Sequence, residues 1–283
     1  MSLEPLLLLP GVLDAVERAR FACEELRWHE AYRRRWREVR AEAGLRSARE
    51  SAALEGARVP LSVVRALATG GTATRHTVPS GLLDDEPVVT GALRATVVVE
   101  GLMPTLGARG AVALPPFGQL LARVHAAATG GWLPPEHVGR LRVDLPPADL
   151  TGLGPALGGS ELAARVDLLG ATVASAPAAT PALVVAAVVH AELLTLRPFR
   201  AGNGVVARAV ARLLLTSRGL DPTGSVIEAR ALNPYLGAAA GFATGTSAGV
   251  AAWIVACSAA VVEGADRARA VAEGVLAGAL PAD

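Results

Sequence analysis

The 283-residue chain contains no lysine: all 27 of its basic residues are arginine. That excludes a Walker-type phosphate loop, which needs a lysine on the phosphates, and Schiff-base chemistry, which needs a lysine amine. Aromatic residues make up 4% of the chain against 52% for hydrophobic residues as a whole, so Ala, Leu and Val must build the core. Two cysteines, Cys23 and Cys257, are too few and too far apart for a disulfide framework or a metal-ligand spacing. Excess charge is missing too. A net charge of +1 argues against a nucleic-acid partner, and the one basic run, YRRRWREVR at 32–40, is preceded by or interleaved with Glu24, Glu25, Glu30 and Glu38, so it reads as a solvated helix face. The apolar stretch LEPLLLLPGVL is too short to span a bilayer and has no basic leader, so no membrane partner is expected and the chain reads as cytoplasmic.

What is present is helical periodicity. Val12, Ala15, Val16, Ala19, Phe21, Ala22 and Leu26 recur near helical spacing, so 11–43 reads as one long helix or two joined ones. A turn is expected at Gly44, then a short helix from Ser47 or Ser51 stopped by Gly56 and Pro60, and another over 60–69. Residues 71–90 read as a loop, and 95–107 is open between a strand and a buried helix. Helices are expected over 116–129, 160–174, 180–196, 203–219 and 247–276, with a Pro- and Gly-rich irregular stretch over 130–160. The fold class is all-α.

The segment 182–196, ALVVAAVVHAELLTL, is apolar nearly all round and so belongs at the centre of a domain. Pro198 breaks it. The AGNG turn at 201–204 then permits positive φ at Gly202, Asn203 and Gly204 before a helix with Val205, Val206, Val210, Leu213 and Leu214 on its apolar side. Backbone N–H groups at such a turn form an anion cradle, and Arg208, one helical turn further on, is placed to reach a phosphate there.

The segment LRPFRAGNGVVAR resembles the core motif of the Fic family, His-Pro-Phe-x-(Asp/Glu)-Gly-Asn-Gly-(Arg/Lys)-x-x-Arg: Pro198, Phe199, Gly202, Asn203, Gly204 and Arg208 match in register. His190 matches a histidine common in the preceding helix and is read as structural. LLARVHAAA and GRLR at 139–142 resemble the helix and flap before the core, and 249–261 resembles the terminal helix. SAALEG, 51–56, resembles the family's inhibitory motif, in which Ser51, Glu55 and Gly56 would place Glu55 against Arg208. The resemblance implies a Fic-like helical domain over 115–283, an N-terminal helical region over 1–114, and a short β-flap between about 95 and 145.

It also implies AMP transfer from ATP to a protein hydroxyl, with a histidine as general base, an acidic residue on Mg²⁺ and two arginines on the phosphates. This chain departs at all but the last. Arg197 stands at the histidine position and stays protonated at neutral pH; Ala201 replaces the acid; Val205 replaces the first arginine. Losing the base alone costs roughly 10²–10⁴ in rate. The reading is therefore a degenerate member without efficient transferase activity, with ATP or another nucleotide as the ligand implied for Gly202, Asn203, Gly204 and Arg208, and Mg²⁺ not expected. The alternatives are a transferase with an altered base or donor, and a helical interaction scaffold without a ligand. A protein target and a homodimer are the partners implied.

Substitute catalysts are scarce. His29, His76, His125 and His137 are dispersed, and Asp144, Asp149 and the acids at 84–86 read as solvated surface. No nucleophile elbow, zinc pattern or dinucleotide fingerprint occurs.

Overall fold

A computed structural model describes residues 2–70, 85–108 and 113–282. Among them are eleven α-helices: α1 (Val12–Arg27), α2 (Ala31–Arg34), α3 (Trp36–Leu54), α4 (Leu61–Ala68), α5 (Glu86–Glu100), α6 (Phe117–Thr129), α7 (Gly159–Ser175), α8 (Ala182–Leu196), α9 (Asn203–Ser217), α10 (Leu232–Ala243) and α11 (Ser247–Ala277). The chain is all-α among these residues. Among the described residues of 95–145, where the flap was expected, there is no strand, only an isolated bridge between Gly130 and Leu133. His76 and Asp84 lie outside the described residues.

The all-round apolar character of α8 is explained by its position. It packs on α1, α7, α9, α10 and α11, and Leu183, Val184, Val185, Ala187, Val189, Leu193 and Leu194 are all buried. Burying a Val or Leu side chain fully contributes about 1.5–3 kcal/mol relative to exposure. Trp253 of α11 is fully buried and donates from Nε1 to the carbonyl of Ala187 at 2.7 Å, fixing α11 against α8. By length and composition α11 is apolar enough to cross a membrane; here it lies against α1, α3, α8 and α10, and half of its most apolar window is buried.

The turn expected at Gly44 does not form. The single helix α3 runs through it, and at Gly44 the carboxylate of Glu100 on α5 takes the space where a Cβ would be. Its missing side chain serves close packing here, not a change of direction. Of the ambiguous 95–107 stretch, 95–100 is the end of α5, whose buried Val89, Ala92, Ala95 and Val99 follow helical spacing, and 101–107 is a turn with no strand. Gly91 lets α5 approach the backbone of Ala128 on α6. The helix α10, rich in Ala and Gly, carried no anticipated signal; Tyr235 and Ala239 bury it against α8 and α11. Arg40, from the basic run read as a solvated face, is buried and donates to the carbonyls of Thr223, Pro104 and Pro222.

Candidate functional site

The α8–α9 turn lies at the meeting point of the C-terminal end of α3, the helix α6 and the irregular segment 139–158. Arg197 ends α8 in the left-handed region at φ +43°, a costly conformation for a residue with a side chain. Gly202 takes φ +78° as the N-cap of α9; Asn203 and Gly204 are already helical, so only one of the three turn positions uses the freedom expected of them. The turn is stapled internally: Oδ1 of Asn203 accepts from the Phe199 N–H at 2.9 Å and its Nδ2 donates to the Phe199 carbonyl at 3.0 Å.

Arg197 is 3% exposed, and its guanidinium points away from the turn. Nη1 donates to the Leu150 carbonyl at 3.0 Å, Nη2 to Gly154 at 2.5 Å and Nε to Thr195 at 3.3 Å. Arg142 works from the opposite side, donating from Nε to the Arg197 carbonyl at 2.7 Å and from Nη2 to Leu196 at 3.0 Å. These are the last carbonyls of α8, which have no partner within the helix. Arg200 donates to the Pro146 carbonyl, and its own carbonyl accepts from Ala148 N–H at 2.7 Å. Three arginines thus bind the segment 142–158 to the motif.

Asp149, expected to be solvated, is the principal correction at the site. Its Oδ2 accepts the backbone N–H of Asn203 at 2.9 Å and its Oδ1 accepts Nδ2 of the same residue at 2.7 Å. The first free N–H of α9 is held by a carboxylate from the chain itself. Burial raises the pKa of Asp149, the Asn203 hydrogen bonds lower it, and the nearby charge of Glu55 raises it.

Glu55 arrives from the other side. Oε1 accepts from Arg208 Nη2 at 2.6 Å, with the two side chains only 16% and 12% exposed. Ser51, one turn earlier on α3, adds its hydroxyl, which accepts from Arg208 Nε at 2.9 Å, and its carbonyl, which accepts from Nη2 at 3.0 Å. Gly56 has φ +99° and closes α3: its N–H bonds the Ala53 carbonyl while the Ala57 N–H bonds that of Ala52, the paired bonds of a Schellman cap. The cap sets where Glu55 leaves the helix. A Cβ on Gly204 would collide with Oε1 of Glu55 and stand 2.8 Å from Arg208 Nη1. The carboxylate therefore rests directly on the first turn of α9, favoured by the helix dipole. A cavity of about 50 Å³ lined by Ser47, Thr96, Val205, Arg208 and Arg212 adjoins the pair, with room for a few waters.

His125 of α6 is the histidine that comes to the motif. Its ring stacks on Phe199 with centroids 3.9 Å apart and an interplanar angle of 9°. Nδ1 accepts from the Gly139 N–H at 2.9 Å, so the proton sits on Nε2 and is donated to the Ala201 carbonyl at 3.0 Å. Both nitrogens are engaged, and burial pushes the pKa down to about 4. His125 braces the turn and has no free lone pair with which to take a substrate proton. His190 hydrogen-bonds the Tyr235 hydroxyl at 2.7 Å and packs on Trp253, the structural role expected of it.

The residues present do not fit Mg²⁺. Ala201 supplies no carboxylate, Asp149 has both oxygens on Asn203, Glu55 is on Arg208, and the described residues contain no cluster of three metal-ligating side chains.

No family sequence model and no curated protein matches the chain. Solved structures do. A Fic family protein from Desulfovibrio desulfuricans G20 is similar at a TM-score of 0.65 with 17% identity, over 90% of this chain and 74% of that one. A Fic-1 fragment from C. elegans has a TM-score of 0.65 and 17% identity over 95% and 72%. A Fic domain containing signaling protein from Bacteroides thetaiotaomicron VPI-5482 has a TM-score of 0.67 and 16% identity over 92% and 98%. The chain has the Fic fold.

Proposed function

We propose that this chain, folded as the Fic proteins are, is a catalytically silent member of that group: it does not transfer AMP, and its phosphate turn is closed from within by carboxylates. The observation that carries this is the direction of Arg197. At the position where the resemblance places a general base, a protonated guanidinium donates to the carbonyls of Leu150, Gly154 and Thr195. A base must accept a proton from the attacking hydroxyl, and every nitrogen here is already a donor. His125, the nearest substitute, has its lone pair on Gly139 and is held neutral. Without a carboxylate for Mg²⁺ the charge of a triphosphate is also not offset.

What remains at the turn suits binding. The N-terminus of α9 and the guanidinium of Arg208 both favour a phosphoryl group, and both are held by internal carboxylates that mimic one. The ligand class supported is a nucleotide or other phosphate taken without metal, in competition with those side chains. The test is twofold. Incubation with α-labelled ATP and Mg²⁺ should leave no label on the protein or on added protein substrates, for the wild type and for Glu55→Ala alike; stable incorporation sinks the silent reading. Calorimetric titration of the same proteins with ATP should give affinities that Mg²⁺ does not raise. The same filling of the cradle favours a second reading, a scaffold that takes no ligand, which requires that ATP fail to bind even when the carboxylates are removed.

A further inference from the structure

Two carboxylates meet at one helix N-terminus, and only one belongs to the motif that pointed to inhibition. Glu55 covers Gly204 and Arg208; Asp149 holds the backbone and side-chain N–H groups of Asn203. These are different donors of the same cradle, so removing one acid does not release those held by the other.

Asp149 is held there by its neighbours in sequence. Ala148 N–H donates to the Arg200 carbonyl at 2.7 Å, and the Leu150 carbonyl accepts from Arg197 at 3.0 Å. The residues on both sides are thus tied to the motif loop, and the carboxylate between them has one place to go. Leu150 completes the geometry in the left-handed region at φ +52°, a conformation that a leucine keeps only when its surroundings impose it. Arg197 acquires a purpose in this arrangement: the position lost to catalysis fastens the strap that carries Asp149.

We infer that Asp149 is a second internal occupant of the phosphate turn, independent of Glu55, and that an anion enters only when the 146–150 strap lifts. The inference rests on the reading that the turn is a phosphate site, and it names the group that regulates it. The competing ligand is a phosphoryl oxygen, which would take the Asn203 N–H that Asp149 holds.

The experiment compares wild type, Glu55→Ala, Asp149→Ala, Asp149→Asn and the Glu55→Ala/Asp149→Ala double variant, each titrated with inorganic phosphate and separately with Mg²⁺-free ATP. Binding is read by calorimetry, with the Asn203 amide followed by NMR. Asp149→Asn keeps the shape and removes the charge, which guards against a folding loss in the alanine variant. The expected result is that the double variant binds phosphate at least about 10-fold more tightly than Glu55→Ala alone, with the Asn203 amide shifting on addition. Equal affinity of Glu55→Ala and the double variant overturns the inference, as does the absence of phosphate binding in every variant. Phosphate binding to the double variant without ATP binding leaves the inference standing and removes the nucleotide reading instead.

Discussion

The carboxylate of Glu55 lies 2.6 Å from Nη2 of Arg208 and occupies the space that a methyl group on residue 204 would need. One acid therefore pairs with Arg208 and covers the helix end beside it. A side chain at 204 would have to displace the Glu55 carboxylate; backbone torsion sets no such demand, since this residue is helical.

Glu55→Ala should lower stability by about 3 kcal/mol, because it leaves Arg208 largely buried without its counter-charge. Gly204→Ala should also destabilise the wild type by pushing Glu55 off Arg208. In the Glu55→Ala background the collision with the carboxylate is gone and only the close approach to Arg208 Nη1 remains, so the double variant should be more stable than the sum of the single changes predicts by about 1–2 kcal/mol. Urea unfolding of the four proteins measures this; strict additivity would separate Gly204 from Glu55.

Arg197→His restores the residue type the motif resemblance expects and should restore nothing. Histidine tolerates the left-handed backbone but cannot reach the carbonyls of Leu150 and Gly154 together. Stability should fall by about 2–4 kcal/mol from carbonyls left without partners, and labelled AMP should still not be incorporated, since Ala201 and Val205 remain. A gain of transferase activity in this single variant would contradict the assignment of Arg197 as a strap anchor.

His125 makes the fold sensitive to acid. Its folded pKa is depressed to about 4 by burial, below an ordinary value near 6.5, so the unfolded chain binds the proton first. Its contribution is complete above about pH 6.5 and is lost as the pH falls toward about 4, amounting to about 3 kcal/mol over that window. His190, also buried and with its pKa held well below the ordinary value by burial and by Arg230 and Arg208, acts with the same sign. Chemical denaturation at pH values across this window should show a shallower loss in His125→Gln than in the wild type. Equal slopes would mean that the ring is not held neutral.

Arg142→Ala should loosen the segment it holds. It removes the donors to Leu196, Arg197 and Leu157, leaving the segment tied to the motif by Arg197 and Arg200 alone. Limited proteolysis should then cut within 142–158 at least about 10-fold faster, with cleavage elsewhere unchanged. Lysine at this position should rescue little, because a single ammonium cannot span carbonyls that the guanidinium fork reaches together.

Much of the architecture was legible in the linear chain. The apolar run 182–196 could be satisfied only at the centre of a domain, Pro198 had to end it, and the spacing from Pro198 to Arg208 fixed which residues share the turn. Ser51 and Glu55, four apart, had to lie on one helix face, and Gly56 had to supply the left-handed residue after them. Periodicity and backbone stereochemistry are local, so they can be read without knowing what lies nearby.

Asp149, Arg142 and His125 were not legible as parts of the site, because their roles depend on backbone groups 54 to 76 residues away in sequence. An aspartate in a Pro-rich stretch looks solvated until the helix end it caps is in view. Gly44 showed the same limit from the other direction, reading as a turn until the Glu100 carboxylate of α5 supplied the reason for a missing side chain. Burial and hydrogen-bond partners are properties of distant segments brought together, and it was packing that filled the 197–208 turn from two sides, with Asp149 on Asn203 and Glu55 on Arg208.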